Sequence, residues 1–146
     1  MSTCTFFGHW ECPENIKESL RNMLIELIET KGVDAFYVGN QGSYDSMVRS
    51  VLRELKEKYP SIEFAVVLAY MPREQDIYDP EHYNETMLPE GIETVPKRFA
   101  ISWRNKWMVN NSDYVVSYIN HDWGGAAQFV ELARRKKKII YNLGQS

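Results

Sequence analysis

Four short runs in this chain combine glycine with polar or charged residues in a way that suits an anionic metabolite. They are Gly8-His9-Trp10, Gly39-Asn40-Gln41-Gly42-Ser43-Tyr44-Asp45, Arg104-Asn105 and Asn120-His121-Asp122-Trp123-Gly124-Gly125. Glycine lets a backbone approach a ligand closely and adopt positive φ. A helix N-terminus adds unpaired N–H groups and a partial positive charge, which suit phosphate. Ser43 can cap the helix that follows it or donate to a phosphate oxygen. Asp45, in that helix's first turn, can bond a ribose hydroxyl or favour the helix dipole. The Arg104 guanidinium is matched to phosphate or carboxylate, and serves equally in a surface ion pair. The glycine runs are neither a Walker A loop, since no Gly-Lys-Ser/Thr follows, nor the G-x-G-x-x-G dinucleotide fingerprint.

Other chemistries find less support. His9, His121 and Asp122 lack metal-ligand spacing, so no metal site and no resident cofactor is expected. Cys4 falls in an apolar run and reads as a packing residue, and with Cys12 it makes too few cysteines for a disulfide scaffold. The basic run Arg134-Arg135-Lys136-Lys137-Lys138 ends a helical pattern, where cations complement the dipole. A formal net charge of −3 argues against broad capture of nucleic acid or an anionic membrane. No apolar run reaches the roughly 18 residues of a spanning helix, and no secretory leader is visible. A cytoplasmic globular protein is expected.

These residues need a scaffold, and the chain's punctuation supplies one. Apolar, β-prone runs at 3–7, 35–38, 64–70, 114–119 and 139–141 read as strands covered on both faces. Helical spacing follows Pro13 (Ile16, Leu20, Leu24, Leu27), runs through Met47, Val51 and Leu55, and begins again after Pro96 and at Gly124-Gly125. Alternating strands and helices imply parallel strands with right-handed crossovers. The expected fold is one α/β domain over 1–146, a Rossmann-like three-layer sandwich with a mainly parallel sheet of about five strands. In such sheets ligands sit outside the carboxyl ends of the strands, near the topological switch point, which is where the glycine-bearing runs fall. Residues 71–94 lack periodicity and read as a long loop, either a lid or contact segment or a plain surface loop. Trp103 and Trp107 lie one turn apart on the third helix. That face is aromatic enough to suggest core packing or self-association into a homo-oligomer.

Taken in order, Thr5-Phe6-Phe7-Gly8-His9, Tyr37-Val38-Gly39-Asn40-Gln41-Gly42 with Asp45, Arg104-Asn105-Lys106-Trp107-Met108-Val109 with Ser112-Asp113, and Gly124-Gly125-Ala126-Ala127 resemble the SLOG superfamily, and within it the small stand-alone bacterial YpsA-like branch. The resemblance covers nearly the whole chain outside 71–94. It implies a Rossmann-like fold that binds a nucleotide or a phosphoribosyl or ADP-ribose-like derivative. The expected contacts are Gly8, His9, Gly39, Asn40, Gly42, Ser43, Asp45, Arg104, Asn105, Gly124, Gly125 and Ala126. The wider group includes the Lonely Guy phosphoribohydrolases, which cleave the N-glycosidic bond of nucleoside monophosphates, and sensor-like domains. It also includes DprA, of related fold, which binds single-stranded DNA.

The enzymes of that group carry Pro-Gly-Gly-x-Gly-Thr-x-x-Glu. Here the matching run is Trp123-Gly124-Gly125-Ala126-Ala127-Gln128-Phe129-Val130-Glu131, so the double glycine and the glutamate stay in register. Trp123, Ala127 and Gln128 replace the proline, the third glycine and the threonine. Trp10 stands where relatives carry arginine after Gly-His. Cleaving an N-glycosidic bond develops positive charge on the sugar. Glu131 or Asp45 could stabilise that charge while Arg104 holds phosphate. Glu131 also stands three and four residues before Arg134 and Arg135, the spacing of a helix-surface ion pair. Three roles are therefore expected: a nucleotide-derivative binder, a phosphoribohydrolase-like enzyme, or an interaction module with a vestigial pocket.

Overall fold

The computed structural model describes residues 2–71 and 85–144. Its strands are β1 (Ser2–Gly8), β2 (Val33–Val38), β3 (Glu63–Val67), β4 (Thr86–Met87), β5 (Tyr114–Tyr118) and β6 (Ile139–Asn142). Its helices are α1 (Lys17–Lys31), α2 (Gly42–Lys58), α3 (Lys97–Asn110) and α4 (Gly125–Arg135). The six strands form one sheet in the order β4-β3-β2-β1-β5-β6, with every neighbouring pair parallel. The chain moves outward from β1 to β4, then returns to the other side of β1 for β5 and β6. The switch point therefore lies between β1 and β5.

Successive strand residues point to opposite faces, and β1 shows why both must be apolar. Phe6 stacks on Phe36 in the core that α1 and α2 cover, and Phe7 stacks on Phe129 in the core that α3 and α4 cover. Val116 and Val115 of β5 divide in the same way. The α/β sandwich and its parallel sheet agree with the sequence reading.

The sixth strand is the difference. β4 is two residues long and falls inside the stretch read as a loop over 71–94. A strand this short carries no alternation. Its position comes from pairing with the end of β3, Val66 with Thr86 and Val67 with Met87. A 3-10 turn at Ile92–Thr94 follows. Residues 72–84, the middle of the stretch read as a lid, a contact segment or a plain surface loop, lie outside the described residues.

The tryptophans of α3 are taken up within the chain. Trp107 meets the Tyr37 ring edge-on at 4.9 Å, and Trp103 packs beside Ala69, Ile92 and Ala100. Phe99 is the large apolar residue of α3 left outside, at 52% exposure.

Tyr44 ties α2 to the sheet beneath it. It is buried, and its hydroxyl donates to the Val116 carbonyl at 2.8 Å. Its ring occupies the space a side chain at Gly8 would need. A Cβ there would lie 2.3 Å from two ring carbons. Gly8→Ala is expected to lower stability by about 1–3 kcal/mol through overpacking, read as a drop in urea midpoint with the slope unchanged. A midpoint equal to the parent's would show that Tyr44 is not confined there.

Candidate functional site

A cleft of about 720 Å³ opens at the carboxyl ends of β1 and β5, at the switch point. The end of β1 contributes Gly8, His9 and Trp10. The β5–α4 turn contributes Asn120, His121, Trp123 and the Gly124-Gly125-Ala126 helix start. α3 contributes Arg104 and Asn105, and the start of α2 contributes Asp45 beside Gln41. The two glycine-bearing helix starts therefore border one cavity, but they contribute to it differently.

α4 begins with an open N-terminus. Gly124 has φ +99°, no side chain caps the helix, and a Cβ at Gly125 would meet nothing within 4 Å. Free N–H groups and empty space coincide there, as an anion site requires. The start of α2 is occupied by the protein itself. Ser43 N–H and the Ser43 hydroxyl both donate to the Trp10 carbonyl, at 2.7 and 2.8 Å, and the hydroxyl accepts from Cys12 N–H. At Gly42, φ is +85° and a Cβ would lie 3.1 Å from Trp10 Cα. At Gly39 a Cβ would lie 2.7 Å from Asp45 Oδ2. Gly39, Asn40, Gly42 and Ser43 do not line the cleft. Their physical role is to hold Trp10, Asp45 and Arg104, which do.

Arg104 is only 2% exposed. Nη1 donates to the Val67 carbonyl at 2.8 Å and to Asn40 Oδ1 at 3.3 Å, and Nε donates to Asn105 Oδ1 at 2.8 Å. Burial pulls its pKa down, and the charge of Asp45 works against that. Asp45 Oδ2 accepts Gln41 N–H at 3.0 Å. Burial pushes the Asp45 carboxyl up to about 6, opposed by that hydrogen bond and by Arg104 and Arg49. Here a carboxyl that can change protonation near neutrality borders a cleft beside a fixed cation.

His9 and His121 join the two sides of the cleft. Asn120 N–H donates to His9 Nε2 at 3.1 Å, and the His9 and His121 rings stack at 3.6 Å. Burial and the neighbouring His121 pull the His9 pKa down. The imidazole is thus kept neutral, as an acceptor Nε2 requires. His121 stacks in turn on Trp123 at 3.7 Å. Asn142, at the end of β6, secures the same turn from behind. Its side chain bonds both the N–H and the carbonyl of Ile119, each at 2.9 Å.

Glu131 is not brought to this cleft. It pairs with Arg134 at 2.5 Å and borders a second, polar groove with Asn142 and Lys138, which meets the cleft at Asn120 and His121. The i,i+3 ion pair foreseen in the sequence is the contact it makes. Cys4 is fully buried, and burial holds its thiol protonated. Sequence reasoning assigned no individual contact to Gln41, Tyr44, His121, Trp123 or Asn142, although the first four fall in runs it singled out. The signal for His121 and Trp123 was their position directly after a strand. Asn142 offered none.

Asp45 yields a test by pH. Its folded pKa, about 6, stands above the ordinary carboxylate value of 3.8. Its contribution to stability is therefore full below the lower value and is lost as pH rises through the upper one. Asp45→Asn mimics the protonated form. The urea midpoint at about pH 8 minus that at about pH 4 should be more positive in this variant than in the parent, with the variant gaining at the higher pH. An unchanged difference would mean the carboxyl does not feel its burial.

Comparison with known proteins agrees with this architecture. The YpsA family model, described as the YspA SLOG family, matches residues 5–143. UPF0398 protein BH1768 of Halalkalibacterium halodurans is 22% identical over 132 residues, covering 84% of this chain and 69% of the relative. A UPF0398 protein of Lysinibacillus sphaericus is 22% identical over 129 residues, covering 83% of this chain and 72% of the relative. The family match takes in β1 from Thr5, all four helices and both sides of the cleft, and the chain belongs to the YpsA family of SLOG proteins.

Proposed function

We propose that the switch-point cleft binds a nucleotide or nucleotide derivative of phosphoribosyl or ADP-ribose-like type. The observation that carries this is the open start of α4. Its uncapped N–H groups and the empty space at Gly125 face a cleft that also holds the buried Arg104. Membership of the SLOG group supports a nucleotide-related function at the level of the family. The volume, about 720 Å³, lies within the range of small-molecule sites. A ligand phosphate sits on Gly124-Gly125-Ala126, and its sugar lies toward Asp45 and Asn105.

Hydrolysis of an N-glycosidic bond is the second reading, favoured by Asp45. Its carboxyl borders the cleft with a pKa near 6, whereas Glu131 does not reach it. One set of samples separates the two. Nucleoside monophosphates should raise the melting temperature of the parent protein, since a ligand held by the native state stabilises it. Gly125→Asp places a carboxylate where the phosphate sits, with no clash in the free protein. That variant should fold normally and lose the shift. A shift retained in Gly125→Asp would remove the α4 start from the site. Free base appearing in the same incubations, and disappearing in Asp45→Asn, would establish turnover. Its absence would leave binding as the activity.

Self-association belongs to the same proposal. Phe99 and Met71 stand 52% and 68% exposed, apolar surface that a second copy would cover. Light scattering should give a mass above that of one chain. A value of 17.1 kDa would refute it.

A further inference from the structure

The cleft carries two large side chains that the fold leaves in water. Trp10 and Trp123 are each 68% exposed, and both line the cavity. Tryptophan is highly buried on average, so two exposed indoles at one site call for a reason. Both are mounted on fixed backbone. The Trp10 carbonyl accepts two bonds from Ser43, and Gly42 leaves room for its backbone. Trp123 ends a column of three rings, His9 on His121 with planes 14° apart and His121 on Trp123 with planes 17° apart. His121 takes one face of the indole. Among the described residues no ring covers the other. A rigid aromatic face held ready costs a ligand little ordering on binding.

Charge narrows what that face receives. Among the described residues, the charged side chains lining the cleft are Glu11, Asp45 and Arg104, two carboxylates against one guanidinium. A polyphosphate would meet net repulsion there. A single phosphate fits the start of α4, and further affinity has to come from uncharged surface. Every nucleobase has a π-face that stacks on an indole.

We propose that Trp123, backed by His121 and His9 and joined by Trp10, is a stacking platform for an aromatic base, so that the cleft selects a singly phosphorylated nucleoside over a bare phosphosugar. This rests on the nucleotide reading above and names the part of the ligand that supplies specificity.

Calorimetric titration of the full chain with AMP, UMP and ribose 5-phosphate tests it. AMP should bind at least about tenfold tighter than ribose 5-phosphate, with UMP between them. Trp123→Ala should remove most of the AMP advantage and leave ribose 5-phosphate unchanged. Trp10→Ala should weaken AMP less. Trp123→Tyr keeps a ring at the same place and should restore part of the AMP affinity. Equal binding of AMP and ribose 5-phosphate by the parent, or AMP binding indifferent to Trp123→Ala, would overturn the platform and leave the nucleotide cleft standing. Failure of all three probes to bind would overturn both. Loss of a dimer in Trp123→Ala with AMP affinity kept would assign the indoles to contact between copies, and would also overturn the platform.

Discussion

Arg104 is the largest side chain wholly enclosed among the described residues, and it is a cation. A charge is tolerated inside a fold only where its hydrogen bonds and counter-charge are supplied. Here that need draws several segments together. β3 offers the Val67 carbonyl at its carboxyl end, the β2–α2 turn offers Asn40, α3 offers Asn105 from the adjacent position, and α2 offers the charge of Asp45. The turn can come close enough only because residue 39 has no side chain, since a Cβ there would lie 3.4 Å from Arg104 Nη1 and closer still to Asp45. The floor of the cleft is thus a by-product of satisfying one guanidinium. The raised carboxyl of Asp45 follows from the same enclosure.

The fold was legible because its strands are short apolar runs closed by glycine or polar residues, and because proline or glycine opens or closes several of its helices. β4 was not, since two residues have no period and its place is set by β3. The site was legible in part. Residue types at strand ends pointed to the right rim of the sheet, but not to the reason each glycine is there. Gly8, Gly39 and Gly42 make room for Tyr44, Asp45 and Trp10, while Gly125 leaves space unfilled. Both situations read as a glycine at a turn. Glu131 kept register with a signature, yet the face it occupies is set by how α4 packs on β1 and β6, which spacing alone does not fix. The tryptophans of α3 carried both the core and the association reading; Tyr37 and Ala69 show those two rings packed in the core, and the proposed association rests on Phe99 and Met71 instead.

Two helix starts at one sheet edge, similar in sequence, end with different duties. At α2 Ser43 gives its N–H and hydroxyl to the Trp10 carbonyl and accepts from Cys12 N–H, fixing the segment from Trp10 to Cys12, while one Asp45 oxygen accepts Gln41 N–H. At α4 no side chain among the described residues caps the first N–H groups, and the space beside Gly125 is open. One end serves as a brace and the other as the receptor, and the brace sets where the far wall of the cavity stands. The difference comes from what meets each start, the backbone carbonyl of Trp10 at α2 and open space beside Gly125 at α4.

The bond from Asn120 to His9 joins residues 111 apart in the chain. β1 leaves the ribosome ahead of the other strands of this sheet, and β5, its neighbour across the switch point, follows more than a hundred residues later. At typical rates of synthesis, about 5–20 residues per second, the nascent chain holds half a binding cavity for several seconds. During that interval the Phe7 face of β1 lacks its partner ring Phe129, which lies beyond β5 in the chain. Closure of the cavity and completion of the sheet are then the same late event, so a chain that stalls or is cut before β5 has neither.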